Sequence, residues 1–69
     1  MLTELGHAIM DAAKSRGVSG ERLSRALGLS RSALYSRLRD DSRWRVGEAA
    51  MVSKLLNIPL ANFFNEEEK

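Results

Sequence analysis

The 69-residue chain predicts an all-α fold, a compact bundle of five short helices. Three observations predict it. Apolar residues recur at spacings of three and four, and no stretch alternates as a strand would. Thr3, Ser19 and Ser30, residues whose side chains cap helix starts, each precede such a stretch. Gly17, Gly28 and Asn57, which tolerate the left-handed conformation that ends helices, each follow one. The length suits one small domain, read as residues 1–65, with an acidic end, 66–69, expected to fray. Such an ending suggests a complete small chain.

The elements follow in order. Leu2, Leu5, Ile9 and Ala12/Ala13 make the stripe of a first helix over about residues 4–16. Ser19 opens a second helix, Glu21 complements its positive end, and Leu23, Ala26 and Leu27 form its inward face. Gly28 stops it after two turns. Only Leu29 separates that glycine from Ser30, which caps a third helix over about 31–39. Two short helices joined by a glycine-containing turn of this length make a helix-turn-helix unit. DDSRWR, residues 40–45, reads as a polar loop around Trp44. That tryptophan either lids the core by stacking on the fourth helix or sits near a partner. The fourth helix covers about 46–56, with Val46, Ala49, Val52, Leu55 and Leu56 inward. Pro59 opens a fifth, and Leu60, Phe63 and Phe64 close the core. Met1, Met10 and Met51 are expected to fill gaps in that core.

Composition removes several classes of function. Without cysteine there is neither a disulfide nor a thiolate metal site, which fits a reducing cytoplasm. His7 stands alone and reads as a surface or half-buried helix residue. No nucleophile–base pair, paired catalytic carboxylates or glycine-rich phosphate loop can be assembled, so no enzyme, cofactor or metal is expected. No signal peptide is recognisable and no apolar run approaches the ~20 residues of a membrane span.

Charge is distributed unevenly. Seven arginines but only two acids, Asp40 and Asp41, lie between Arg22 and Arg45, a footprint suited to phosphate. The third helix carries this signal in its arrangement. At about 100° per residue, Arg31, Ser32, Tyr35, Ser36 and Arg39 share one face, with Leu34 and Leu38 opposite. That outward face has hydrogen-bond donors, one aromatic ring and no carboxylate. Arginine bonds guanine bidentately, and serine and tyrosine can meet other base edges or a thymine methyl. These five are the candidate base readers. Arg37 falls on the core side, where it either lies along apolar neighbours or pairs with an acid of the fourth helix, Glu48.

SGERLSRALGLSRSALYSRL, residues 19–38, resembles the helix-turn-helix of lambda-repressor/Cro-like (XRE-type) domains of phage and bacterial regulators. Leu23, Gly28, Leu29, Ser30 and Leu34 match its apolar, turn and cap positions. VGEAAMVSKLLNIPLANFF, residues 46–64, is similar to the helices that follow, and the resemblance spans about residues 2–64. It implies a lambda-repressor-like fold with helix 3 in the DNA major groove and helix 2 across the backbone. Arg31, Ser32 and Ser36 then match base-reading positions, with Tyr35 and Arg39 beside them. Ser19, Gly20, Arg25, Ser30, Arg43 and Arg45 are the implied phosphate contacts. Three positions depart from the pattern. Gly20 replaces a frequent glutamine and leaves only a backbone N–H there. Ser24 stands for a common alanine, and Arg37 for an apolar residue, with Leu38 taking over one position later.

The expected function is a sequence-specific regulator binding double-stranded DNA, a repressor or Cro-like protein. It would bind as a homodimer on a pseudo-palindromic site, with helix 5 and the C-terminal segment as the first guess for the dimer surface. No membrane or small-molecule partner is expected. The alternatives are a helical protein-interaction module and a DNA-binding accessory factor in recombination.

Overall fold

The computed structural model describes residues 1–64; residues 65–69, including the acidic end, lie outside the described residues. The order is α1 (Glu4–Ser15), α2 (Gly20–Leu27), α3 (Arg31–Arg39), a 3-10 turn (Asp41–Arg43), α4 (Val46–Leu56) and a second 3-10 turn (Leu60–Phe63). No strand occurs among the described residues.

Local chemistry sets the boundaries. The hydroxyls of Thr3, Ser19 and Ser30 accept from the backbone N–H groups of Gly6, Arg22 and Ala33, starting α1, α2 and α3. At the far end of α2, Gly28 adopts φ +70°, which a side chain would oppose. Its N–H then donates to Arg25, and that of Leu29 to Ser24, closing the helix as a Schellman motif. The resulting three-residue connection delivers Ser30 directly to the start of α3. Asn57, at φ 56°, ends α4 in the same left-handed way.

The core forms where the helices cross. Ile9 and Ala13 of α1, Leu23 of α2, Leu34 and Leu38 of α3, and Ala49 and Val52 of α4 are fully buried. Each buried leucine or isoleucine contributes on the order of 1.5–3 kcal/mol. Leu56, Ile58, Trp44 and Phe63 belong to the same buried cluster. Trp44 is therefore a core residue, and its ring meets Phe63 edge to face, centroids 5.5 Å apart.

Several expectations are corrected. Among the described residues there are four α-helices, not five. Leu60–Phe63 makes a single 3-10 turn, because four residues after a proline with no side-chain cap cannot repay helix nucleation. The polar loop likewise contains a 3-10 turn, capped by Asp40. Val46 and Leu55 are exposed, at 68% and 47%. The buried side of α4 is one stripe, Ala49–Val52–Leu56; Leu55 stands about 100° from it, and Val46 begins the helix beyond the core's edge. Ala26 is exposed for the same reason, flanking the Leu23–Leu27 stripe. Leu60 faces outward while Phe63, three residues on, is buried. Met1 and Met51 are exposed; of the three methionines only Met10 packs against the core. His7 is exposed.

Candidate nucleic-acid interface

The candidate interface is built on α3, which is fixed from behind at three points. Leu34 and Leu38 anchor it in the core. At its C-terminal end the carbonyl of Leu38 accepts from the Thr3 N–H at 3.0 Å, and the Thr3 hydroxyl donates to Asp41 Oδ1 at 2.6 Å. This latch ties the start of α1 to the end of α3.

The third point is Arg37. Its Nε and Nη2 donate to Glu48 Oε1 and Oε2 at 2.7 and 3.3 Å, and its Nη1 donates to the Ala33 carbonyl at 3.0 Å. Of the two sequence expectations for Arg37, the ion pair is the one formed. Glu48 Oε1 also accepts the Arg45 N–H at 3.1 Å, so one carboxylate joins α3 to the start of α4. Both side chains are 15% exposed. Burial pushes the Glu48 carboxyl up. The hydrogen bonds from Arg37 and the Arg45 N–H, with the charges of both arginines, outweigh it and hold the carboxyl below its usual range.

The opposite side of α3 is open. Arg31, Ser32 and Arg39 are exposed, whereas Tyr35 and Ser36 are half-buried. Neither Arg31 nor Arg39 forms an ion pair among the described residues. The tip of Tyr35 lies over Gly20, at the first turn of α2, and so one expected base reader and one expected phosphate contact come together.

The other expected phosphate contacts differ in availability. Ser19 and Ser30 use their oxygen as a cap acceptor, which leaves the O–H free to donate. Arg25 pairs with Glu21 at 3.0 Å, and Arg43 with Asp40 at 3.4 Å. Such exposed pairs are worth about 0–1 kcal/mol, so either arginine can exchange its partner for a phosphate at small cost. The Asp40 carboxyl is held below its usual range by the Ser42 hydroxyl, then by the Ser42 N–H and the Arg43 charge. Arg45 is exposed and forms no ion pair among the described residues.

Arg22 was not among the sequence candidates. It is exposed in the first turn of α2, two residues from Gly20, and unpaired among the described residues. Its place in the basic run was the available signal. Ser24, the polar departure, is buried, and its hydroxyl donates to the Glu21 carbonyl at 2.8 Å. No helix among the described residues is long and apolar enough to cross a membrane, and they contain no cluster of three or more metal-ligating side chains. Comparison with family models, with curated proteins and with solved structures gives no match to this chain.

Proposed function

We propose that the chain is a sequence-specific double-stranded DNA-binding regulator of transcription, with a lambda-repressor/Cro-like fold and a helix-turn-helix at α2 and α3. One observation carries this reading. α3 is pinned on its inner side by Leu34, Leu38 and Arg37, and presents Arg31, Ser32 and Arg39 outward with no carboxylate among them. Rigid placement of bidentate donors is what base recognition in the major groove requires. Arg22, Arg25, Arg43 and Arg45, with Ser19, Gly20 and Ser30, then contact phosphates that fix the register. Action in the cytoplasm belongs to the same proposal.

A single module of this kind covers about 600–1,000 Å² of DNA-facing surface, so useful affinity favours a homodimer on a pseudo-palindrome. Exposed Met51 and Leu55 on α4, and Leu60 after it, support a protein contact through residues outside α3. An open groove of about 340 Å³ beside Met51, lined also by Leu27, Arg45, Gly47 and Glu48, supports it too. The same residues favour the second reading, a protein-interaction module.

Selection of bound sites from a random duplex pool, at two salt concentrations, tests the proposal. An enriched palindrome is the expected result. Lack of enrichment, with binding to a protein that salt barely affects, would leave the second reading standing.

A further inference from the structure

We infer that Tyr35 is a positioning residue, seated on Gly20 to set the angle between α2 and α3, and that discrimination between base sequences depends on this seat. The inference rests on the DNA-binding reading above.

The seat brings three helices to one point. A Cβ placed on Gly20 would lie 3.1 Å from the Tyr35 hydroxyl oxygen, 3.9 Å from its Cζ and 3.8 Å from the Met10 methyl. The glycine thus provides the space in which the phenol tip rests, with α1 closing the other side. Burial agrees. Arg31, Ser32 and Arg39 are exposed on the outer side of α3, while Tyr35 is half-buried and packs against the core. The helical wheel places Tyr35 among base readers because it knows only the direction of Cβ. The long side chain turns from that direction toward the neighbouring helices.

The magnitudes make this a matter of specificity rather than folding. A methyl at Gly20 would displace the hydroxyl by a few tenths of an ångström, since 3.1 Å is tighter than ordinary carbon–oxygen packing. A recognition constellation tolerates about 0.5 Å before paired hydrogen bonds fail. A shift at the seat is therefore of the same order as the tolerance at the bases. Contacts to phosphate are less exacting, because they are largely Coulombic. The seat should govern the ratio of cognate to random binding more than the affinity for random duplex. Removing the phenol oxygen relieves the crowding, because the next nearest ring atom, Cζ at 3.9 Å, is at ordinary contact distance.

A double-substitution cycle tests this. Affinities for the selected duplex and for a random duplex are measured for the parent, Gly20→Ala, Tyr35→Phe and the double variant, together with thermal unfolding midpoints. Gly20→Ala alone should lower the cognate-to-random ratio about three- to tenfold, a coupling in the usual range for touching side chains. Made together with Tyr35→Phe, it should lower the ratio less than about twofold relative to Tyr35→Phe alone. Folding is not the cause if the midpoints stay together. Equal losses in both backgrounds, or no loss from Gly20→Ala, overturn the seat while leaving DNA binding intact. A parent that prefers no duplex overturns the DNA reading, and the specificity role with it.

Discussion

Gly6 shows how much one missing side chain can decide. Gly6 is the third residue of α1, where glycine is a poorer helix former than alanine by up to about 1 kcal/mol, so propensity alone favours replacing it. A Cβ there would collide with the backbone carbonyl oxygen of Leu38, and backbone cannot step aside as a flexible side chain can. Gly6→Ala should therefore destabilise the fold by about 1–3 kcal/mol, the usual cost of overpacking, rather than stabilise it. Chemical denaturation of the two proteins measures the sign. The sequence did not disclose this role, because it depends on a meeting of residues 6 and 38. The arginines make a second prediction at this scale. Arg31→Ala should lose about 1–3 kcal/mol on the selected site and relax one base position. Arg43→Ala, already shared with Asp40, should weaken all duplexes alike and reduce the salt slope by about one. Titrations of cognate and random duplexes compare the two.

Among the elements, α3 and α4 are joined through a single carboxylate. Glu48 takes two hydrogen bonds from Arg37 and one from the Arg45 N–H, so it ties the candidate recognition helix to the start of its neighbour. Charged hydrogen bonds of this kind are worth about 1.5–3 kcal/mol each at most, and a pair this little exposed is only weakly screened. Glu48→Gln should cost about 1–3 kcal/mol at neutral pH. The sign of the pH dependence follows from the lowered pKa. Glu48 binds its proton less readily folded than unfolded, so its contribution is complete above the ordinary value of 4.5. It is lost as pH falls through the lowered folded value. Parent and Glu48→Gln stabilities, compared by denaturation across pH, should converge on the acid side. The sequence disclosed this pair because Arg37 was the one charge on the buried side of the wheel. It also disclosed the starts of α1 to α3, since a cap bonds within three residues. It overstated the end of the chain, where the 3.6-residue pattern continues past Pro59 but the residues are too few for another α-helix. Along α4 the apolar arc is wider than the surface its neighbours can cover, and Val46 and Leu55 stay outside.

For the whole molecule, size and charge act together. Seven arginines fall in the central third of the 69-residue chain and Arg37 is taken up by Glu48; on the proposed function the other six meet DNA, and binding should weaken steeply with salt. On a selected palindrome, two copies should bind with half-site centres about 34 Å apart, and sedimentation of the complex counts them. A complex of one copy on a full site would remove the dimer from the proposal.

The latch at the N-terminus can also be followed by itself. The Thr3 N–H precedes α1 and donates across to Leu38, not to any turn of its own helix. Its exchange with solvent deuterium therefore requires the residues before α1 to leave the end of α3. A helix that merely stays wound cannot protect it. Slow exchange at Thr3 would report the closed latch through one amide, and Gly6→Ala should accelerate that amide before those in the middle of α3.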